Sequence, residues 1–172
     1  MTLLLGGCQY SSYIEIYEEK FFNDSTPTRS LPSPVPEIAN NPSLNNLEQS
    51  IHQQINEYRQ SQNLPPLSLN STISQQARLH SQAMAEGNIP FSHEGFDGRI
   101  AEISQTIPYS SVAENVATNQ GYANPARQAV SGWLDSPGHY KNIVGNYDLT
   151  GIGVVENEVG EYYFTQIFLK SR

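Results

Sequence analysis

The segment Trp133-Leu-Asp-Ser-Pro-Gly-His139-Tyr-Lys-Asn142-Ile143 carries the strongest local signals in the chain. Ser136 and Pro137 stand where a helix begins, because serine can cap a first turn and proline is preorganised for the first helical position. A preceding helix opens at Asn124-Pro125 for the same reason. The segment therefore predicts two short helices in succession, with His139 near the start of the second.

Helical periodicity dominates the chain before this segment, and strand patterns follow it. The predicted helices begin at Leu47, after Asn70-Ser71, near Gly98, at Asn124 and at Ser136. Residues 111–118 alternate only weakly and indicate either a strand or an extended segment. Residues 151–156 and 162–169 are rich in β-branched and aromatic side chains and predict an antiparallel hairpin. Helices that precede a terminal hairpin indicate an α+β fold.

The composition excludes several classes of function. The chain has 172 residues and a formal net charge of −8, so long-range electrostatics oppose binding to nucleic acid or to anionic membrane surfaces. No stretch approaches the ~18 apolar residues that a membrane-spanning helix needs. Cys8 is the one cysteine, which rules out a disulfide within the chain and any zinc site with two or more cysteines.

The N-terminus predicts export. Leu5-Gly6-Gly7-Cys8 resembles a lipobox, at which a bacterial lipoprotein signal peptide is cut and the cysteine is lipidated. Residues 1–8 are then the remnant of a signal peptide, and the mature protein would be anchored through Cys8. A leucine-rich terminus with a free thiol is the alternative.

A linker and one folded domain are predicted after Cys8. Residues 9–45 are rich in proline, serine and asparagine, which is typical of a flexible linker. Within them, Ile14, Tyr17 and Phe21 have the spacing of a short helix. The folded domain is predicted to occupy residues 46–172.

Two further motifs precede the segment 133–143, namely Phe91-Ser-His93 and Ala113-Glu-Asn-Val-Ala117. In this order the three motifs resemble the CAP superfamily, the SCP-domain proteins that include cysteine-rich secretory proteins, antigen 5 and pathogenesis-related 1 proteins. The resemblance covers about residues 47–169 and is greatest to the cysteine-free bacterial branch. It implies a three-layer α-β-α sandwich with a central antiparallel sheet.

The resemblance also implies a cleft lined by two histidines and two acidic residues. Three of these positions match here, as His93, Glu114 and His139. The second acidic position falls on Ser136, with Asp135 just before it. Either the set of four is incomplete or Asp135 substitutes with a different geometry.

Two kinds of site fit these three residues. Imidazoles and a carboxylate suit a divalent cation such as zinc, which with three protein ligands keeps a fourth position for an activated water. The alternative is a hydrogen-bonded His–Glu–His network that fixes loops to the sheet. No residue is assigned a catalytic role and no cofactor besides this metal is expected. His80 is interpreted as a core histidine bonded to the backbone, and Glu94 as a further cleft acid or as loop surface.

We therefore expect an exported protein, either secreted or anchored by lipid at Cys8, that acts as an extracytoplasmic binding or interaction module. The expected partner is a small ligand, a lipid or a peptide in the cleft, and not nucleic acid. A zinc-dependent ester or peptide hydrolase that uses the same cleft is the second hypothesis. A structural envelope protein is the third, because fold alone does not fix function.

Overall fold

The described part of the chain, Tyr17–Glu18 and residues 42–172 of this computed structural model, contains five helices and five strands. The helices are α1 (Pro42–Ser61), α2 (Ser71–Ala85), α3 (Phe96–Ser104), α4 (Pro125–Asp135) and α5 (Pro137–Ile143). The strands are β1 (Tyr17–Glu18), β2 (Ser68–Leu69), β3 (Tyr109–Gln120), β4 (Leu149–Glu156) and β5 (Glu161–Ser171). The predicted hairpin is confirmed as β4 and β5, and the five helices predicted within residues 46–172 are all present.

One sheet crosses the domain in the order β1-β3-β5-β4-β2. Strands β3, β5 and β4 run antiparallel, so that Ile167 lies between Glu114 on one side and Gly151 on the other. The central strands are thus antiparallel as expected, and only the short edge strand β2 pairs parallel, with β4. A parallel direction is possible there because a long connection through α2 to α5 separates the two strands.

The sheet separates two apolar cores. One face packs against α1, α4 and α5, and the other packs against α2 and α3. Side chains alternate between the faces along β3, so Ala113 and Ala117 belong to the first core and Val112 to the second. This arrangement confirms the α-β-α sandwich, and it directs Glu114 and Asn115 toward opposite layers.

Helix α2 lies directly on the backbone of β4, where Gly151 and Gly153 make room for it. A Cβ atom at either glycine would overlap the main chain of α2 at Ser74 or Arg78. Only glycine allows so close an approach. The contact fixes the position of α2 and, with it, the position of His80.

Side chains cover the outer edge of β3. Trp133 donates through Nε1 to the carbonyl oxygen of Val116 at 3.0 Å. Asn142 donates through Nδ2 to the carbonyl oxygen of Glu114 at 3.3 Å. Strand β1 pairs with the beginning of the same edge. These groups satisfy backbone atoms that an edge strand would otherwise expose.

The N-terminal boundary differs in two respects from the sequence predictions. Helix α1 begins at Pro42, inside the predicted linker, because proline suits the first turn and Leu44 packs against the core. The short helix predicted around Tyr17 is wrong at that residue, since Tyr17–Glu18 pairs as an extended strand with β3, whereas an isolated short helix is marginal.

The lipobox and the other linker residues lie outside the described residues. No helix of the described residues is long and apolar enough to cross a membrane.

Candidate functional site

Glu114 is the centre of a buried polar cluster on the face of β3 that α2 and α3 cover. Its Oε2 accepts a hydrogen bond from Nε of Arg99 at 3.0 Å, and its Oε1 accepts one from Nη2 of Arg99 at 2.7 Å. Oε1 also accepts a bond from Nδ1 of His93 at 2.9 Å. Burial alone would raise the pKa of the Glu114 carboxyl, but the hydrogen bond from His93 and the charge of Arg99 outweigh burial and lower that pKa. The carboxylate is therefore ionised and both of its oxygens are engaged.

Arg99 is the residue of the cluster that the sequence analysis missed. It is buried on α3, and its guanidinium also donates to the carbonyl oxygens of Glu94 at 2.8 Å and His93 at 3.4 Å. Arginine is usually exposed, so its identity gave no indication of burial. The available signal was its position, three residues after Phe96 and next to Ile100 on the apolar face of the helix.

His93 connects the loop before α3 to Glu114. Because Nδ1 faces an ionised carboxylate, Nδ1 carries a proton and donates it to that hydrogen bond. Nε2 has no hydrogen-bond partner among the described residues, and the side chain is 5% exposed. A histidine held by a carboxylate at one nitrogen and unpaired at the other has the orientation that is common among metal-binding histidines.

His80 on α2 borders the cluster next to Glu114. Its Nε2 donates to the carbonyl oxygen of Ser92 at 2.9 Å and lies 3.9 Å from Oε1 of Glu114. Burial lowers the pKa of the His80 imidazole to about 4, against an opposing effect of the Glu114 charge. The interpretation of His80 as a core histidine bonded to the backbone is confirmed, with the addition that it borders the charged cluster.

His139 lies on α5, in the opposite layer of the sandwich. It is 2% exposed on α5, and its carbonyl oxygen accepts a bond from Nδ2 of Asn115 at 3.2 Å. Burial, followed by the charge of His93, lowers the pKa of the His139 imidazole to about 4. The two imidazoles are thus close enough for their charges to interact. Of the three residues predicted from sequence, His93 and Glu114 are in contact and His139 lies within electrostatic range of His93.

The profile of the cysteine-rich secretory protein family, CAP, matches residues 52–168. The chain belongs to the CAP family. Over 119 residues it is 33% identical to the protein YkwD of Bacillus subtilis (strain 168). That alignment covers 67% of this chain and 45% of YkwD, so the chain spans less than half the length of this relative.

Solved structures support the CAP fold. An extracellular protein of Bacillus anthracis that contains an SCP domain superposes with a TM-score of 0.62 at 27% identity, covering 73% of this chain and 41% of that chain. An outer surface protein of Borrelia burgdorferi superposes with a TM-score of 0.62 at 21% identity, covering 74% of this chain and 94% of that chain. At that lower identity the likeness concerns the fold alone.

The other polar residues considered in this CAP domain make no side-chain hydrogen bond with Glu114 or His93 in the described part of the chain. Asp135 is exposed at the end of α4. Ser136 occupies the predicted cap position of α5, but its side chain makes no capping hydrogen bond, so Pro137 remains the signal that starts this helix. Glu94 is exposed, and it contributes its backbone carbonyl to Arg99. Gln166 is buried in β5, where it donates to Thr150 at 3.2 Å.

The buried polar cluster around Glu114 does not fit a zinc centre in which His93, Glu114 and His139 are all ligands. Glu114 lies on the Nδ1 side of His93, whereas the open nitrogen is Nε2. Arg99 holds both carboxylate oxygens, and its charge would oppose a divalent cation at the same place. Within Tyr17–Glu18 and residues 42–172, no three His, Cys, Asp or Glu side chains are grouped to hold a metal. Zinc binding stays a prediction.

Proposed function

We propose that this CAP domain is a non-enzymatic binding module that acts outside the cytoplasm. The observation that carries the proposal is the two-point contact of Arg99 with Glu114, supplemented by His93. A carboxylate in this state is neither a free general base nor an open metal ligand. The cluster then serves to hold the loop before α3 against the sheet, and Nε2 of His93 is the atom of the cluster that remains for a ligand.

The histidines of the cluster support the same proposal. A general base works best when its pKa lies near the operating pH, and the pKa values of His80 and His139 are lowered to about 4. Both rings are therefore neutral and weakly basic at pH 7. Nε2 of His93 is buried without a hydrogen-bond partner among the described residues, and such an atom gains by pairing with a hydroxyl or amide donor of a ligand that enters the cluster. A small ligand, lipid or peptide that carries such a donor is the partner we propose.

Export is the second part of the proposal. The family is described as secretory, and the similar Bacillus anthracis protein is described as extracellular. Leu5-Gly6-Gly7-Cys8 adds a site for lipid attachment. We propose that Cys8 anchors the domain to the outer side of a membrane. Mass spectrometry of the native protein should find a lipidated Cys8 at the N-terminus, and an unmodified Met1 on soluble protein would contradict the anchor.

A zinc-dependent hydrolase is the second candidate, and one observation favours it. His93 has a carboxylate on Nδ1 and an open Nε2, which is how metal-binding histidines are commonly oriented. A metal held by His93 and His139 would supply an acidified water for ester or peptide hydrolysis. Glu114 would then orient His93 and would not itself be a ligand.

Turnover measurements separate the two candidates. The full chain is assayed on panels of esters and peptides with and without zinc, beside the double variant His93→Ala/His139→Ala. A binding module gives the same background rate for both proteins. Zinc-dependent turnover in the wild type that the double variant lacks would establish the hydrolase instead.

Binding is tested at His93 itself. Nitrogen NMR of the imidazole distinguishes a bare Nε2 from one that accepts a hydrogen bond. Titration with sugars, short peptides and fatty acids should shift the Nε2 resonance of His93 for the class that binds, while His52 on α1 serves as the reference ring. If no class moves the His93 resonance, the proposed contact is wrong.

A further inference from the structure

Four oxygen atoms surround the guanidinium of Arg99. They are both carboxylate oxygens of Glu114, at 3.0 and 2.7 Å, and the carbonyl oxygens of Glu94 and His93, at 2.8 and 3.4 Å. Oxygens that carry negative or partial negative charge repel one another unless a cation lies between them. The four atoms thus make an acceptor set that requires a positive charge at its centre.

The backbone and an aromatic ring complete the surroundings of this cation. Gly95 has a φ of 77°, which residues with a side chain rarely adopt, and a Cβ there would reach Nη1 of Arg99 at 3.4 Å. The loop can therefore wrap around the guanidinium. The ring of Phe96 lies 5.8 Å from Cζ of Arg99, within the range of a cation–π interaction.

We propose that Glu114, the loop 93–95 and Phe96 form a binding site for a guanidinium cation, and that the side chain of Arg99 is its built-in occupant. Arg99 then supplies the positive charge that a metal ion would bring to a histidine–carboxylate cluster. The domain consequently folds without a metal. This role of Arg99 is the same whether the domain binds a ligand or hydrolyses one.

Chemical rescue tests the site in the full chain. Arg99→Ala removes the occupant and leaves the acceptors, so its Tm should fall by about 10 °C, as expected when one member of a buried ion pair is lost. Methylguanidinium at ten times its Kd should then raise the Tm of this variant by about 4 °C. The same salt should leave the Tm of the wild type unchanged, and so should sodium chloride for either protein.

Two variants serve as controls. Arg127→Ala removes an exposed arginine on α4 and should neither lower the Tm nor respond to methylguanidinium. Arg99→Lys keeps a charge, but an ammonium cannot match the planar fork of the guanidinium. Its Tm should lie between those of the wild type and Arg99→Ala. If Arg99→Ala does not fold alone, its folded fraction with and without methylguanidinium, followed by near-ultraviolet circular dichroism, replaces the Tm.

Three results would overturn the proposal. The first is an Arg99→Ala variant as stable as the wild type, because the oxygens would then need no cation. The second is an Arg99→Ala variant that methylguanidinium does not stabilise. The third is a wild-type Tm that falls in EDTA and recovers with zinc, because a metal would then be the resident cation.

Discussion

Asn142 on α5 donates its side-chain amide to the main-chain oxygen of Glu114 at 3.3 Å. The same amide donates to Oδ1 of Asn115 at 2.9 Å, and Asn142 is 1% exposed. The helix that carries His139 is in this way attached to the strand that carries Glu114. The amides of Asn142 and Asn115 therefore attach α5 to β3 at the edge of the sheet.

We predict that Asn142→Ala destabilises the domain by about 2 to 4 kcal/mol, because two buried acceptors lose their donor. Urea unfolding of the full chain measures the effect as a lower midpoint at constant slope. Lys141→Ala, an exposed neighbour on the same helix, is the control and should stay within about 0.5 kcal/mol of the wild type. Equal midpoints for both variants would mean that Asn142 does not secure α5.

Glu114→Gln keeps the volume of the side chain and removes its charge. The guanidinium of Arg99 then stays buried without a counter-charge, so we expect a loss of about 3 to 5 kcal/mol. Glu102→Gln on the exposed side of α3 should change stability by no more than about 0.5 kcal/mol. Thermal unfolding of the three proteins provides the comparison. If the Glu114→Gln variant melts at the same temperature as the wild type, the structural role assigned to the cluster is wrong.

Acid should weaken the fold over the range in which unfolded histidine gains a proton. The pKa values of His80 and His139 are lowered to about 4 in the folded state, below the ordinary value of about 6.5. Between those values the unfolded chain binds more protons, so stability falls as the pH falls. The loss between pH 7 and pH 5 amounts to about 2 kcal/mol for each imidazole. The lowered pKa of Glu114 adds a further loss only at more acidic pH.

Replacing one imidazole tests this assignment. His139→Gln should reduce the difference in unfolding free energy between pH 7 and pH 5 by about 2 kcal/mol. His52→Gln, whose ring is only partly buried on α1, controls for the general effect of losing a histidine. An unchanged pH dependence in His139→Gln would show that its imidazole does not titrate as described.

Gly153→Ala should be among the most damaging small substitutions in the domain. Its Cβ would overlap the backbone of α2 at Ala77 and Arg78, and overpacking of a rigid contact costs about 1 to 3 kcal/mol or more. Gly98→Ala in α3 is the matched control, because nothing lies within 4 Å of the added Cβ. Alanine favours the helix there by up to about 1 kcal/mol. Urea midpoints that shift in opposite directions are the expected result.

The sequence predicted the fold class because its signals are local. A few adjacent residues are enough to predict the helix starts at Asn70 and Pro125. The same holds for the two strands of the final hairpin. Strand β3 gave a weaker signal, because its residues 112–119 are buried on both faces and alternation disappears when both faces are covered. Its full extent, Tyr109–Gln120, depends on pairing with β5.

The candidate site was only partly predictable. The motifs pointed to His93, Glu114 and His139, but spacing in the chain does not specify which atoms face one another. The sequence motifs did not indicate Arg99, because its guanidinium is buried among oxygens from the loop 93–95 and from β3 that only the tertiary structure brings together. Ser136 stands at its predicted cap position, but a local pattern does not reveal whether its side chain bonds the first turn.

The covered margin of β3 has a consequence for how neighbouring copies of the domain can associate. Trp133 and Asn142 occupy carbonyl groups that a neighbouring molecule would need in order to add a strand, and the opposite margin ends in the two-residue β2. A neighbouring copy therefore meets few unpaired main-chain groups to which it could add a strand.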